Sequence, residues 1–111
     1  TSIEVRTAAR KAVEELLPRI SRSTRWLVAG PNDATVMGAL DALQGSSVKS
    51  DQVIGVGIGG GQPNRELGFV ASVPVPTREL GEQAVAALIS WVKEGKAPQT
   101  EVLIEGSPSA Q

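Results

Sequence analysis

Three features of the sequence predict an α/β fold built on a parallel sheet. Short apolar runs of strand length recur at residues 26–29, 52–58, 69–73 and 101–104. Between them, apolar residues recur at the three- and four-residue spacing of a helix with one buried face. Glycine and proline punctuate almost every change from one pattern to the other. The resulting order, α-β-α-β-α-β-α-β, is that of parallel strands joined by right-handed helical crossovers.

Taken in order, residues 1–17 carry Val5, Ala9, Ala12 and Leu16 on one helical stripe that continues to Ile20, with Arg6, Arg10, Glu14 and Glu15 mostly off it. Ser2 is the expected N-cap, and Pro18, which has no amide hydrogen, ends or kinks the helix near Leu17. Trp26, Leu27, Val28 and Ala29 form a continuous apolar run of the kind buried on both faces of a parallel sheet. Gly30 and Pro31 stop it. Asn32 and Asp33 then open a helix whose Val36, Met37, Leu40 and Leu43 share a face. Gly45 is expected to end that helix in the left-handed conformation.

Residues 52–58 (QVIGVGI) form a second buried run, with glycines where neighbouring backbone can approach closely. Gly59, Gly60 and Gly61 break it, and residues 63–67 suit one short helical turn. Residues 69–73 read as a third strand. Pro74 and Pro76 hold Val75 in a stiff extended segment. Thr77 is the expected cap of a long helix, 78–94, with Leu80, Ala84, Val85, Leu88, Trp91 and Val92 in a stripe. Residues 101–104 (EVLI) read as a last short strand and 106–111 as a polar tail.

Composition narrows the function. The 111 residues suffice for one domain. Lys+Arg 11 against Asp+Glu 12 leaves a net charge of −1, which argues against an electrostatic grip on nucleic acid or acidic lipid. With no Cys, His or Tyr, thiolate chemistry, the usual general base and the commonest transition-metal ligand are missing. No apolar run is long enough to span a membrane as a helix. The chain starts at Thr1 directly inside a helical pattern, as expected of a processed or excised piece.

The motifs point the same way. Residues 55–60 match the dinucleotide fingerprint G-x-G-x-x-G, but Gly55 and Gly57 lie inside the strand and Pro63 interrupts the helix that would hold a pyrophosphate. Asp33, Asp41, Asp51, Glu66, Glu79 and Glu82 are scattered, without a paired acid and base. Neither Ser72 nor Ser90 lies in a nucleophile turn, and Trp26 and Trp91 suit a core better than sugar stacking. The reading is non-catalytic, with no cofactor and no metal. Polar groups that follow a buried strand face the crevice outside the sheet's carboxyl edge, where open α/β sheets bind ligands. Asn32 is therefore expected to face a small polar ligand while Asp33 caps the helix.

Together, WLVAGPNDATVMGALDAL, QVIGVGIGGGQ, FVASVPVPT and ISWVKEG resemble the carboxyl-terminal half of the L-arabinose-binding group of periplasmic sugar-binding proteins, the type I class that feeds ABC transporters. The similarity runs from about Ser2 to Ile104. Several residues are missing around Leu67 and Gly68, where the family has a longer helix. The family folds as two α/β lobes joined by three crossovers, with sugar held between them. The resemblance implies that Asn32 hydrogen-bonds sugar hydroxyls through an amide offering both donors and an acceptor, and that Pro31 makes an apolar contact. The second ligand loop departs from the pattern. Gly59 stands where the family has Asn or Asp, and Gln62 stands where it has Asp, so this half of the pocket is weakened or retuned.

The resemblance also divides the chain. Residues 1–73 correspond to part of the second ligand-binding lobe of a partial flavodoxin-like sheet with flanking helices, lacking that lobe's first strand–helix–strand. Residues 74–76, with Pro74 and Pro76, correspond to a hinge crossover. The helix within 77–99 packs on the first lobe in the family, and 100–111 hold the return strand and the tail. The implied partners are a monosaccharide, the first lobe, and an ABC permease, in a periplasmic or extracellular setting with a lipid anchor allowed. A bare strand edge at 26–29 and the uncovered 78–94 helix would also favour a homo-oligomer, by strand addition or helix exchange. Two other classes stay open: the ligand-sensing domain of a LacI-type transcriptional regulator, and a small enzyme of flavodoxin-like shape.

Overall fold

The computed structural model describes residues 1–105 and 109–110. The elements are α1 (Ser2–Leu16), β1 (Trp26–Ala29), α2 (Asp33–Gln44), β2 (Val53–Ile58), β3 (Phe69–Val73), α3 (Thr77–Glu94) and β4 (Ser109–Ala110), with 3-10 turns at Leu17–Arg19 and Ser50–Gln52. The sheet order is β1-β2-β3-β4. The first three strands are parallel, pairing Trp26 with Val53 and Ala29 with Val56, then Gly57 with Ser72 and Ile58 with Val73. β4 adds antiparallel to β3. The chain forms two compact units, one of Thr1–Pro74 together with β4, the other starting at Val75.

In the first unit the core is Val36, Leu40, Leu43, Val53, Leu67 and Phe69, with Val13, Leu17, Trp26, Val28, Met37 and Val48 packed around it. Val36 and Leu40 lie four residues apart, one helical turn, and both are fully buried. Gly55 lets Leu40 reach the sheet, because a Cβ there would stand 2.7 Å from Leu40 Cδ1. α1 packs on α2 rather than on the strands. Gly38 makes this approach possible: a Cβ at that position would stand 2.1 Å from the Arg6 carbonyl oxygen. Across the same contact Arg6 donates to both carboxylate oxygens of Asp41, at 2.6 and 2.8 Å, and this partner holds the guanidinium above its usual pKa range.

Several local expectations are corrected. Thr1, not Ser2, caps α1, its Oγ1 accepting from the Glu4 N–H at 3.3 Å. The inward side of α1 runs through Ala9, Val13, Leu17 and Ile20, whereas Val5 and Leu16 are exposed, because the docking of α2 selects which face turns inward. Gly45 has φ −77° and is right-handed, its N–H closing on the Asp41 carbonyl. Residues 63–67 form no helix. Asn64 and Phe69 exchange both backbone bonds (2.7 and 2.9 Å) and Asn64 Oδ1 accepts from Leu67 N–H, which makes a tight turn into β3.

β1 is covered on one face only, with Leu27 75% exposed, and Ile54 and Ile58 of β2 lie open too. The physical reason is the short, helix-free connection from β2 to β3, which leaves no crossover to cover the second face. Among the described residues β1 pairs on one side only.

In the second unit α3 is preceded by Pro76, which offers no side-chain cap, and Thr77 lies inside the helix rather than capping it. Gly95 ends it at φ +69°. None of its residues is buried. The strand expected at 101–104 does not form: 101–105 have no regular structure, with Val102 and Leu103 exposed. An extended run is stable only when a neighbour satisfies its backbone, and no strand among the described residues pairs with it. The expected tail at 106–111 lies outside the described residues except for β4. No described helix is long and apolar enough to cross a membrane.

Candidate functional site

The carboxyl ends of β1, β2 and β3 open onto one edge of the first unit, where the loops after β1 and β2 meet. Gly30, Pro31 and Asn32 lead from β1 into α2, and Gly59–Gln62 follow β2. Pro31, Asn32, Gly59 and Gln62 are all exposed there.

The cap expected of Asp33 is supplied by Asn32 instead. Asn32 has extended backbone (φ −152°, ψ 162°) and is the N-cap of α2, its Oδ1 accepting from the Thr35 N–H and from Thr35 Oγ1, both at 2.9 Å. Its Nδ2 donates to no group among the described residues, so the acceptor end of the amide serves the fold while the donor end is available at the edge.

Asp33 turns inward instead. Ser72 Oγ, fully buried on β3, stands 2.7 Å from Asp33 Oδ1 and 2.9 Å from Oδ2. The same hydroxyl accepts from the Gly60 N–H at 2.8 Å, and the Gly61 N–H donates directly to Asp33 Oδ2 at 2.8 Å. Gly59 N–H closes on the Val73 carbonyl at 2.8 Å. Asp33 also sits in the first turn of α2, where the positive end of the helix dipole favours a carboxylate.

The glycines are explained by that carboxylate. A Cβ on Gly57 would stand 2.2 Å from Asp33 Oδ1, one on Gly59 2.9 Å from Oδ2, and one on Gly61 2.7 Å from Oδ2. Gly59 and Gly60 have φ of +144° and +82°, conformations that a side chain rarely adopts. The run resembling a dinucleotide fingerprint thus makes room for Asp33 and Leu40.

The structure therefore brings Asn32 and Gln62 to flanking positions on either side of the Asp33–Gly61 hydrogen bond, with Gly59 in the same loop. Pro74 joins them from the end of β3, beside the position a Gly60 Cβ would take. Pro76 lies in the other unit. The residues missed from sequence are Asp33 as an internal anchor and Ser72. Two signals were present: a lone serine in the apolar FVASV strand, and glycine at every second position from 55 to 61.

No family model matches the chain. It is 28% identical over 102 residues to the ABC transporter L-arabinose-binding periplasmic protein of Azospirillum brasilense, covering 86% of this chain and 30% of that protein. It is 31% identical over 94 residues to the L-arabinose-binding periplasmic protein of Escherichia coli K12, covering 78% of this chain and 28% of that protein. The chain thus spans under a third of the length of these curated relatives. In fold it matches the crystal structure of a galactofuranose binding protein with a TM-score of 0.76, at 20% identity, covering 95% of this chain and 37% of that one.

Proposed function

Because the chain resembles L-arabinose-binding periplasmic proteins in sequence and a galactofuranose binding protein in fold, we propose that it supplies one side of a monosaccharide-binding site in a periplasmic sugar-binding protein of an ABC transporter. Sugar would be held between this side and another lobe, captured by hinge closure of the kind known for periplasmic binding proteins, and passed to an ABC permease. The setting would be periplasmic, and the role non-catalytic.

The observation that carries this reading is the meeting of the Asn32 and Gly59–Gln62 loops at the carboxyl edge of three parallel strands. Asn32 Nδ2 offers a donor, Gln62 brings an exposed amide, and Pro31 provides an apolar side chain next to Asn32 in the chain. Neutral amides and backbone groups suit uncharged hydroxyls, which need a donor and an acceptor each and no counter-charge. In this reading Pro74 and Pro76 bracket the hinge segment, and α3 packs against the other lobe.

One side of a two-sided site binds weakly. If half of the neutral hydrogen bonds, each worth about 1 kcal/mol, are absent, affinity falls by orders of magnitude. Titration of the ¹⁵N-labelled chain with L-arabinose, D-galactose and D-ribose should show millimolar shifts of the Asn32 and Gln62 side-chain amides and of Gly59. Micromolar binding would overturn the two-sided reading, and absence of any shift at these residues would overturn sugar binding at this edge.

A further inference from the structure

We propose that Asp33 is the positioning residue of this edge, and that it commits the second ligand loop to recognition through its main chain and Gln62. The proposal rests on the sugar-binding reading and deepens it. Asp33 touches no ligand in it. Instead, one carboxylate ties together three segments distant in sequence: the start of α2, the loop after β2, and β3.

The chain of bonds is directional. Gly60 N–H donates to Ser72 Oγ, Ser72 Oγ donates to the Asp33 carboxylate, and Gly61 N–H donates to the same carboxylate through Oδ2. Both anchored amides belong to the turn between Gly59 and Gln62. The loop is thereby fixed in direction, and Gln62 follows the anchored Gly61 directly. Asn32 precedes Asp33 in the same way. The separation of the two ligand-facing amides is therefore set by one hydrogen-bonded network, part-buried at Asp33 and anchored on the buried Ser72, rather than by loop flexibility.

The same carboxylate excludes a side chain at position 59. The Cβ of any residue there would crowd Oδ2 at 2.9 Å, on a backbone whose φ of +144° suits glycine alone. A side-chain hydrogen bond gained at Gly59 by substitution would have to displace the Asp33 carboxylate and strain the backbone. The consequence is a specificity rule: this side of the site reads hydroxyl position through Asn32, Gln62 and peptide groups.

The test uses the whole chain and two variants. Asp33→Asn keeps the shape but replaces one acceptor oxygen with an NH₂ donor facing donors, and Ser72→Ala removes the relay hydroxyl. Amide hydrogen exchange by NMR is read without sugar. Asp33→Asn should speed exchange at Gly60 and Gly61 by roughly tenfold or more, and Ser72→Ala at Gly60 chiefly, with Leu40 and Leu43 in α2 unchanged as a check of folding. The shift titration with L-arabinose should then require roughly tenfold more sugar for Asp33→Asn than for the wild-type chain. Unchanged Gly60 and Gly61 exchange in both variants overturns the proposal, as does a loosened loop with an unaltered titration. If the wild-type chain gives no L-arabinose response, the sugar reading falls and takes this proposal with it. A normal wild-type response with unmoved variants overturns the proposal alone.

Discussion

Replacing Gly38 with alanine separates two arguments by the sign of their result. In a helix interior, glycine to alanine is worth about 1 kcal/mol of added stability by propensity alone. The tertiary contact reverses this. The new methyl would stand 2.1 Å from the Arg6 carbonyl oxygen, 2.9 Å from its carbon and 3.0 Å from the Ala9 Cβ, where ordinary contact begins near 3.4 Å. Two of these three atoms are main chain of α1 and cannot swing away, so α1 must lift from α2. Overpacking of this kind costs about 1–3 kcal/mol, and a backbone obstacle places the cost in the upper half of that range. The lift also opens the Arg6–Asp41 pair, a small loss because both groups are partly exposed. The expected net change is a loss of about 1–2 kcal/mol, or roughly 4–8 °C in melting temperature for each kcal/mol. Thermal unfolding followed by far-UV circular dichroism measures it, with Gly45→Ala as the control. Gly45 is right-handed with only ordinary contacts around a Cβ, the nearest at 3.5 Å, so that variant should gain about 0.4–1 kcal/mol. A Gly38→Ala chain that melts at or above the wild type would refute the close α1–α2 contact.

Asn32→Ala should cost about 1 kcal/mol, because it removes the α2 cap. Asn32→Ser keeps a capping oxygen and should melt within a few degrees of wild type while losing the L-arabinose shifts at Gln62 and Gly59, and retention of those two shifts would remove Asn32 from the site. Leu40→Ala, at a fully buried position, should cost about 2–5 kcal/mol in urea unfolding, and a smaller loss would mean that α2 does not seat on the sheet as described. We expect the one-sided β1 edge and the exposed Leu27 to promote self-association, read by sedimentation velocity over a concentration series and relieved by Leu27→Lys. A chain that stays monomeric at every concentration would count against an edge-mediated oligomer.

Much of the scaffold is legible in residue order alone. The strands at 26–29, 53–58 and 69–73, and the helices around Leu40 and Leu88, follow from apolar spacing and from glycine and proline punctuation, which act over a few residues. The edge carrying Asn32 and Gln62 follows too, because parallel strands joined in this order place their carboxyl ends together. What each residue does there was not legible. Asn32 and Asp33 are both good caps by type, and the choice fell to Asn32 because Asp33 finds Ser72, thirty-nine residues away in sequence. Residues 101–104 have strand composition but pair with no strand among the described residues, and Leu27 has core composition but is exposed. Local pattern reports what a segment is able to form, over distances of one or two helical turns. Whether a carboxylate is a cap or an anchor, and whether an apolar face is covered, depends on atoms brought near by the rest of the chain, and only the tertiary structure decides it.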